Sequence, residues 1–156
     1  MNRSDDEQEQ VSTDACQPAE PLVRGCSRRI LLVEDNLVTM EYLIKVIAKA
    51  GYKPVPALHA EQALRVVRQE PIDLILTDIM MPDMDGITMV KHIRQMLHLV
   101  HLPILMFTAD NDRQSVMASA QYNIQGYLVK PVDRQLLLER IAQALKNSSP
   151  SSTNSE

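Results

Sequence analysis

The sequence predicts an α/β domain in which five parallel strands form one doubly wound sheet with helices on both faces. Three features carry that reading. Short continuous apolar runs alternate five times with segments whose apolar residues recur at helical spacing, the pattern of doubly covered strands joined by crossover helices. One run, 53–57, holds Pro54 and Pro56, which a central strand cannot accept because each removes a ladder donor. The runs end in charged or hydroxyl residues at their carboxyl ends, in VEDN, LTD, FT and VK, and that rim is where such sheets bind ligands.

The elements follow in order. RILLV (29–33) reads as the first strand, and Met40, Leu43, Ile44 and Ile47 form one face of the helix behind it, which Gly51 stops. KPVPA (53–57) is the edge strand. Ala63, Leu64, Val66 and Val67 mark a second helix that ends before Pro71, LILT (74–77) is the third strand, and 87–96 the third helix. PILMFT (103–108) is the fourth strand, a fourth helix over 113–122 follows Asp112, and GYLV (126–129) is the fifth strand. Leu137, Leu138, Ile141 and Leu145 give the last helix, 133–146, its apolar face. With the second strand at an edge, the order is 2-1-3-4-5 and the switch point lies between strands one and three.

A chain of 156 residues with 45% hydrophobic content supports one ordinary core and not two. The net charge of −4 arises in the first 27 residues, where six acids face two arginines; residues 28–146 hold 13 acids and 14 bases. A near-neutral body with no basic stripe argues against direct nucleic-acid binding. The only cysteines, Cys16 and Cys26, fall in the polar leader, which argues against a disulfide framework and fits a reducing cytoplasm. No apolar run approaches the roughly 18 residues of a membrane span, and the leader lacks the apolar block of a signal peptide. The expected organisation is a flexible polar leader (1–27), one globular domain (28–146) and a flexible polar tail (147–156).

Chemistry converges on the carboxyl rim. Strand one delivers Glu34 and Asp35, strand three Asp78, strand four Thr108 and strand five Lys130. Three carboxylates at one rim raise one another's proton affinity unless they share a cation, and hard oxygen donors of this kind suit Mg²⁺. Lys130 adds a compact positive charge and Thr108 a hydroxyl donor for phosphoryl oxygens, a set able to transfer a phosphoryl group by positioning and charge. Singly, Glu34 and Asp35 read as loop or N-cap acids, Thr108 as ordinary strand chemistry and Lys130 as a solvated loop residue; their joint occurrence at four strand ends points to a site. His59, His92, His98 and His101 fall off the rim and read as exposed helix or loop residues. Met80, Met81, Met84 and Met89 read either as a pliable partner surface or as packing at the core edge.

Several motifs stand together: the acidic pair Glu34–Asp35, TDIMMPDMDG with Asp78, Pro82 and Gly86, FTA with Thr108, and GYLVKP with Tyr127, Lys130 and Pro131. Thirty residues lead from Asp78 to Thr108 and 22 from Thr108 to Lys130. In these motifs and spacings, 28–146 resembles the receiver domain of two-component response regulators. The resemblance implies a flavodoxin-like fold and a phosphorylation switch in which Asp78 takes a phosphoryl group from a histidine kinase or a histidine phosphotransfer protein. It implies Mg²⁺ held by Glu34, Asp35, Asp78 and the Met80 carbonyl, phosphoryl oxygens received by Thr108, the Ala109 amide and Lys130, and a cis Lys130–Pro131 bond. It also implies a switch through Thr108 and Tyr127, read by a downstream protein on the face of the fourth helix, fifth strand and last helix. Met80 and Asp110 take the positions that control deacylation in the family, and Val132 stands where an aromatic is common.

The leading expectation is a stand-alone cytoplasmic receiver that promotes its own Mg²⁺-dependent phosphorylation and dephosphorylation, not an enzyme acting on an external substrate. Ten tail residues leave no room for an output domain. A phosphorelay intermediate or phosphate sink stays open beside it. An aspartate-nucleophile phosphatase would carry a second Asp two residues after the first as its acid/base, where this chain has Met80. The four glycines never form the G-x-G-x-x-G of a dinucleotide site.

Overall fold

A computed structural model of the chain describes residues 27–109, 117 and 120–148. Its elements are β1 (Arg29–Val33), α1 (Leu37–Lys49), β2 (Lys53–Ala57), α2 (Ala60–Gln69), β3 (Leu74–Asp78), α3 (Gly86–Arg94), a 3-10 turn (Leu97–Leu99), β4 (Ile104–Thr108), β5 (Gly126–Val129) and α4 (Arg134–Asn147). The helix expected over 113–122 falls largely outside the described residues, as do Asp110, both cysteines, and the leader and tail except Ser27, Asn147 and Ser148. The last helix is therefore numbered α4.

All four strand pairings are parallel and the order is β2-β1-β3-β4-β5, as expected. The prolines of β2 have a sharper role than edge tolerance. Lys53 N–H donates to Arg28 O at 2.9 Å and Glu34 N–H to Ala57 O at 3.2 Å, so the odd-numbered residues of β2 make the ladder to β1. Pro54 and Pro56 stand at the outward positions, where a free N–H would invite another strand.

Alternation along the strands builds two cores. Ile30, Leu32, Leu74, Leu76, Leu105, Phe107 and Leu128 pack beneath α1 and α4, against Leu43, Ile47, Leu137 and Ile141. Leu31, Val33, Ile75, Ile104 and Met106 face the other way, onto Ala63, Leu64 and Val67 of α2 and Met89, Val90 and Ile93 of α3. Each fully buried Leu or Ile is worth about 1.5–3 kcal/mol, which fixes the helices to the sheet.

Caps set the boundaries. Asn36 Oδ1 accepts from Val38 and Thr39 N–H at 3.0 and 3.1 Å, Asp85 Oδ1 from Thr88 N–H at 2.7 Å, and Asp133 Oδ1 from Leu136 N–H at 2.9 Å. Asp133 is thus the cap of α4 and not its first turn. Gly51, at φ 91°, turns the chain from α1 into β2. The third helix is shorter than expected: Gln95 is its C-cap, and the 3-10 turn takes over where continued α-helix was expected.

Candidate functional site

The period-two alternation that fills the α1–α4 core continues into the site. Ile30 and Leu32 are followed on the same face by Glu34, Leu74 and Leu76 by Asp78, and Leu128 by Lys130, so three charged side chains cap an apolar stripe at the carboxyl rim. Glu34 is 1% exposed and Asp78 5%. Two such carboxylates out of water are costly unless paired.

Lys130 pairs both: its Nζ donates to Glu34 Oε2 at 2.8 Å and to Asp78 Oδ2 at 2.9 Å. The ammonium lies 4.6 Å from the centroid of the Phe107 ring, an attraction that strengthens out of water. Main-chain donors take the remaining oxygens. Asn36 N–H bonds Glu34 Oε1 at 3.0 Å and Met80 N–H bonds Asp78 Oδ1 at 3.2 Å. Burial raises the Glu34 pKa above the usual carboxylate range, the Asp78 charge adds to this, and the bonds from Lys130 and Asn36 only partly offset it. Burial would lower the Lys130 pKa, but its hydrogen bonds to Asp78 and Glu34 outweigh that and raise it.

Glu34, Asp35 and Asp78 each offer an oxygen within 4.8 Å of the others. Three carboxylates against one lysine leave an excess of negative charge on hard oxygen donors, which fits a divalent cation of the Mg²⁺ class. Close backbone approach shapes the same loop. A Cβ on Gly86 would stand 2.1 Å from Asp78 O, and Gly86 N–H bonds Ile79 O at 2.8 Å, so only glycine lets α3 start against the end of β3. Thr77 Oγ1 donates to Asp78 O at 2.9 Å.

Thr108, buried at the end of β4, follows Phe107, the register partner of Asp78. By alternation it belongs to the opposite face, with Met106, whose register partner on β5 is Tyr127. Tyr127 is half-buried against the α2–α3 core and burial raises its pKa. Ala109 is exposed just beyond β4, and the Lys130–Pro131 bond is cis, as the resemblance implied. Of the methionines, Met89 is core, Met81 and Met84 pack against it, and Met80 is 72% exposed. His59, His98 and His101 are exposed as expected, but His92 is half-buried with its Nδ1 enclosed. Sequence reasoning passed over Phe107, the seat of Lys130. Alternation assigns this phenylalanine, the only one in the chain, to one face of the fourth strand, but only the register with β3 brings it level with Asp78.

The response regulator receiver domain family matches residues 30–142. The chain belongs to this family. It is 34% identical over 113 residues to the chemotaxis protein CheY-3 of Vibrio cholerae, covering 71% of this chain and 87% of that one. It is also 34% identical over 122 residues to the transcriptional regulatory protein BaeR of Escherichia coli, covering 78% of this chain and 50% of BaeR. A putative response regulator from Chloroflexus aurantiacus superposes with a TM-score of 0.73 at 32% identity, over 77% of this chain and 98% of the other. The chain spans half of BaeR and 17% of the sensor kinase/phosphatase CqsS of Vibrio cholerae. Receiver domains belong to two-component signalling and bind Mg²⁺ at an acidic pocket, which the Glu34–Asp35–Asp78 cluster of this receiver matches in kind. Among the described residues no helix is long and apolar enough to cross a membrane.

Proposed function

We propose that this receiver is a cytoplasmic phosphorylation switch whose Asp78 takes a phosphoryl group from a phosphohistidine on a histidine kinase or histidine phosphotransfer protein. The observation that carries the reading is Lys130, hydrogen-bonded at once to Glu34 and Asp78 from a third strand end. An Asp78 carboxylate oxygen forms the new P–O bond as the P–N bond to the donor breaks, and the departing imidazole takes up a proton. The Met80 N–H bond and the Lys130 bond hold the carboxylate in one orientation for that attack. Glu34, Asp35, Asp78 and the Met80 carbonyl would hold Mg²⁺, which supplies positive charge for the incoming phosphoryl oxygens. The Thr108 hydroxyl and Ala109 N–H donate to those oxygens, and Lys130, kept protonated by its raised pKa, balances the added charge. Leu37, Val38 and Tyr42 are exposed on α1 beside a groove that Pro131 and Val132 continue, an apolar strip next to Lys130 that suits a docked donor protein.

The output in this reading is a changed protein surface. Drawn toward phosphorylated Asp78, the Thr108 hydroxyl vacates space on the face it shares with Tyr127, whose ring turns inward, and a downstream protein reads β5, α4 and the segment 113–122. Residues 28–146 carry the chemistry, with the leader and tail dispensable for it.

Acetyl phosphate should label the protein only with Mg²⁺ present, adding one phosphate by intact mass that Asp78→Asn abolishes. Undiminished labelling of that variant would sink the assignment. Beryllofluoride with Mg²⁺ should shift β5 resonances as well as those of the Asp35, Asp78 and Lys130 loops; shifts confined to the loops would favour the phosphate-sink reading.

A further inference from the structure

Arg94 closes α3 with an unusual set of partners. Its Nε donates to Tyr122 O at 2.8 Å, Nη1 to Leu99 O at 2.8 Å and Nη2 to Asn123 O at 2.9 Å. The acceptors are three main-chain carbonyls on two connections, one leaving α3 and one entering β5, and among the described ion pairs none includes Arg94. The guanidinium is half-buried, and burial lowers its pKa. A planar fork with fixed donors can hold three carbonyls in one geometry, where a single ammonium cannot.

The corner it grips is a committed turn. Asn123 lies at φ 53°, in the left-handed region, and the next anchor is Gln125, whose N–H bonds Ile104 O at 2.9 Å while its Oε1 accepts from Ile104 N–H at 2.8 Å. On the other connection, Leu102 N–H bonds Leu99 O at 3.1 Å, sharing that carbonyl with Arg94. Leu99, Tyr122, Ile124 and Tyr127 all pack on the core that Ile93 of α3 helps to fill.

We infer that Arg94 is a pin that joins α3, the 97–102 connection and the 122–125 corner into one body, so that β5, an edge strand bonded on one side only, is positioned from α3. For the switch proposed above, on which this last step rests, the Tyr127 ring turns against a fixed corner instead of moving with it.

Amide hydrogen exchange of the full chain without phosphodonor tests the pin apart from the switch. In Arg94→Met, which keeps the aliphatic stem, the Leu102 and Gln125 amides should exchange at least about tenfold faster, equal to about 1.4 kcal/mol of easier local opening, while β1 and β3 amides change little. Arg94→Lys should recover less than half of the protection, and it carries the test if Arg94→Met does not fold. A uniform acceleration across β1, β3 and the corner, no acceleration at all, or full recovery in Arg94→Lys overturns the pin. With Mg²⁺ and beryllofluoride, wild-type Tyr127 ring signals should shift while the Asn123 amide stays; equal movement of both also overturns it. If exchange is local but neither signal responds, the pin stands and the switch reading fails.

Discussion

Replacing Asp78 by asparagine should stabilise the Mg²⁺-free protein while removing its proposed phosphoacceptor. The Asp78 and Glu34 carboxylates are both buried with oxygens within 4.8 Å, a repulsion of about 3.5 kcal/mol at an effective dielectric of about 20. Lys130 stands 2.9 Å from Asp78, an attraction of about 5.7 kcal/mol on the same scale. Asp35 is exposed, so its repulsion at the same separation falls between about 1 and 3.5 kcal/mol as water screens it. At 4.8 Å, the widest separation in the cluster, these contributions cancel to within about 1 kcal/mol, and any closer approach adds repulsion. The cost of burying the Asp78 charge, several kcal/mol after relaxation, then decides the sign. Asparagine drops the charge and keeps one oxygen, for Met80 N–H or for Lys130 but not for both, since the two bond different Asp78 oxygens; losing one of these bonds takes back only part of what dropping the buried charge gains. A net gain of about 1–3 kcal/mol follows, seen as a Tm higher by roughly 3–10 °C. Circular-dichroism melts at neutral pH in a chelator measure it, and added Mg²⁺ should raise the wild-type Tm more than that of the variant. A lower Tm for Asp78→Asn in chelator would refute the reasoning, because the Lys130 pair would then outweigh both repulsion and burial.

Three further outcomes are open to measurement by urea unfolding. Gly86→Ala forces a Cβ to within 2.1 Å of Asp78 O, a main-chain atom that cannot swing aside, so urea unfolding should show a loss of about 3 kcal/mol; Gly126→Ala, whose Cβ would meet only the Leu105 side chain at 3.4 Å, should cost clearly less. Glu34 has a pKa raised above 4.5 in the folded state, so between 4.5 and that value the native form binds more protons than the unfolded one. Without Mg²⁺, the Glu34 contribution should therefore improve as pH falls through its folded pKa, and urea midpoints across that window should show Glu34→Gln lacking this component. Lys130 works on the alkaline side: its contribution is present below 10.5 and lost as pH rises through its raised folded value.

The sequence by itself determined the sheet and the identity of the rim residues. RILLV and LILT are too short for helices and alternate with segments of helical period, which marks them as strands, and Pro54 and Pro56 left only an edge for β2. Glu34, Asp35, Asp78 and Lys130 were legible because a parallel sheet gathers the carboxyl ends of its strands at one rim. Helix ends were less legible. Asp133 is a cap and α3 stops at Arg94, because the last turn of a helix depends on which partner takes its free main-chain groups. Tertiary structure alone decided that Phe107 lies beneath Lys130, that Gly86 is required by the Asp78 carbonyl, and that Arg94 reaches across 28 and 29 residues to Tyr122 and Asn123. Those contacts join residues far apart in the chain, and no local period records them. They exist because the fold brings distant segments within a few ångströms, where the direction of each side chain sets which groups meet.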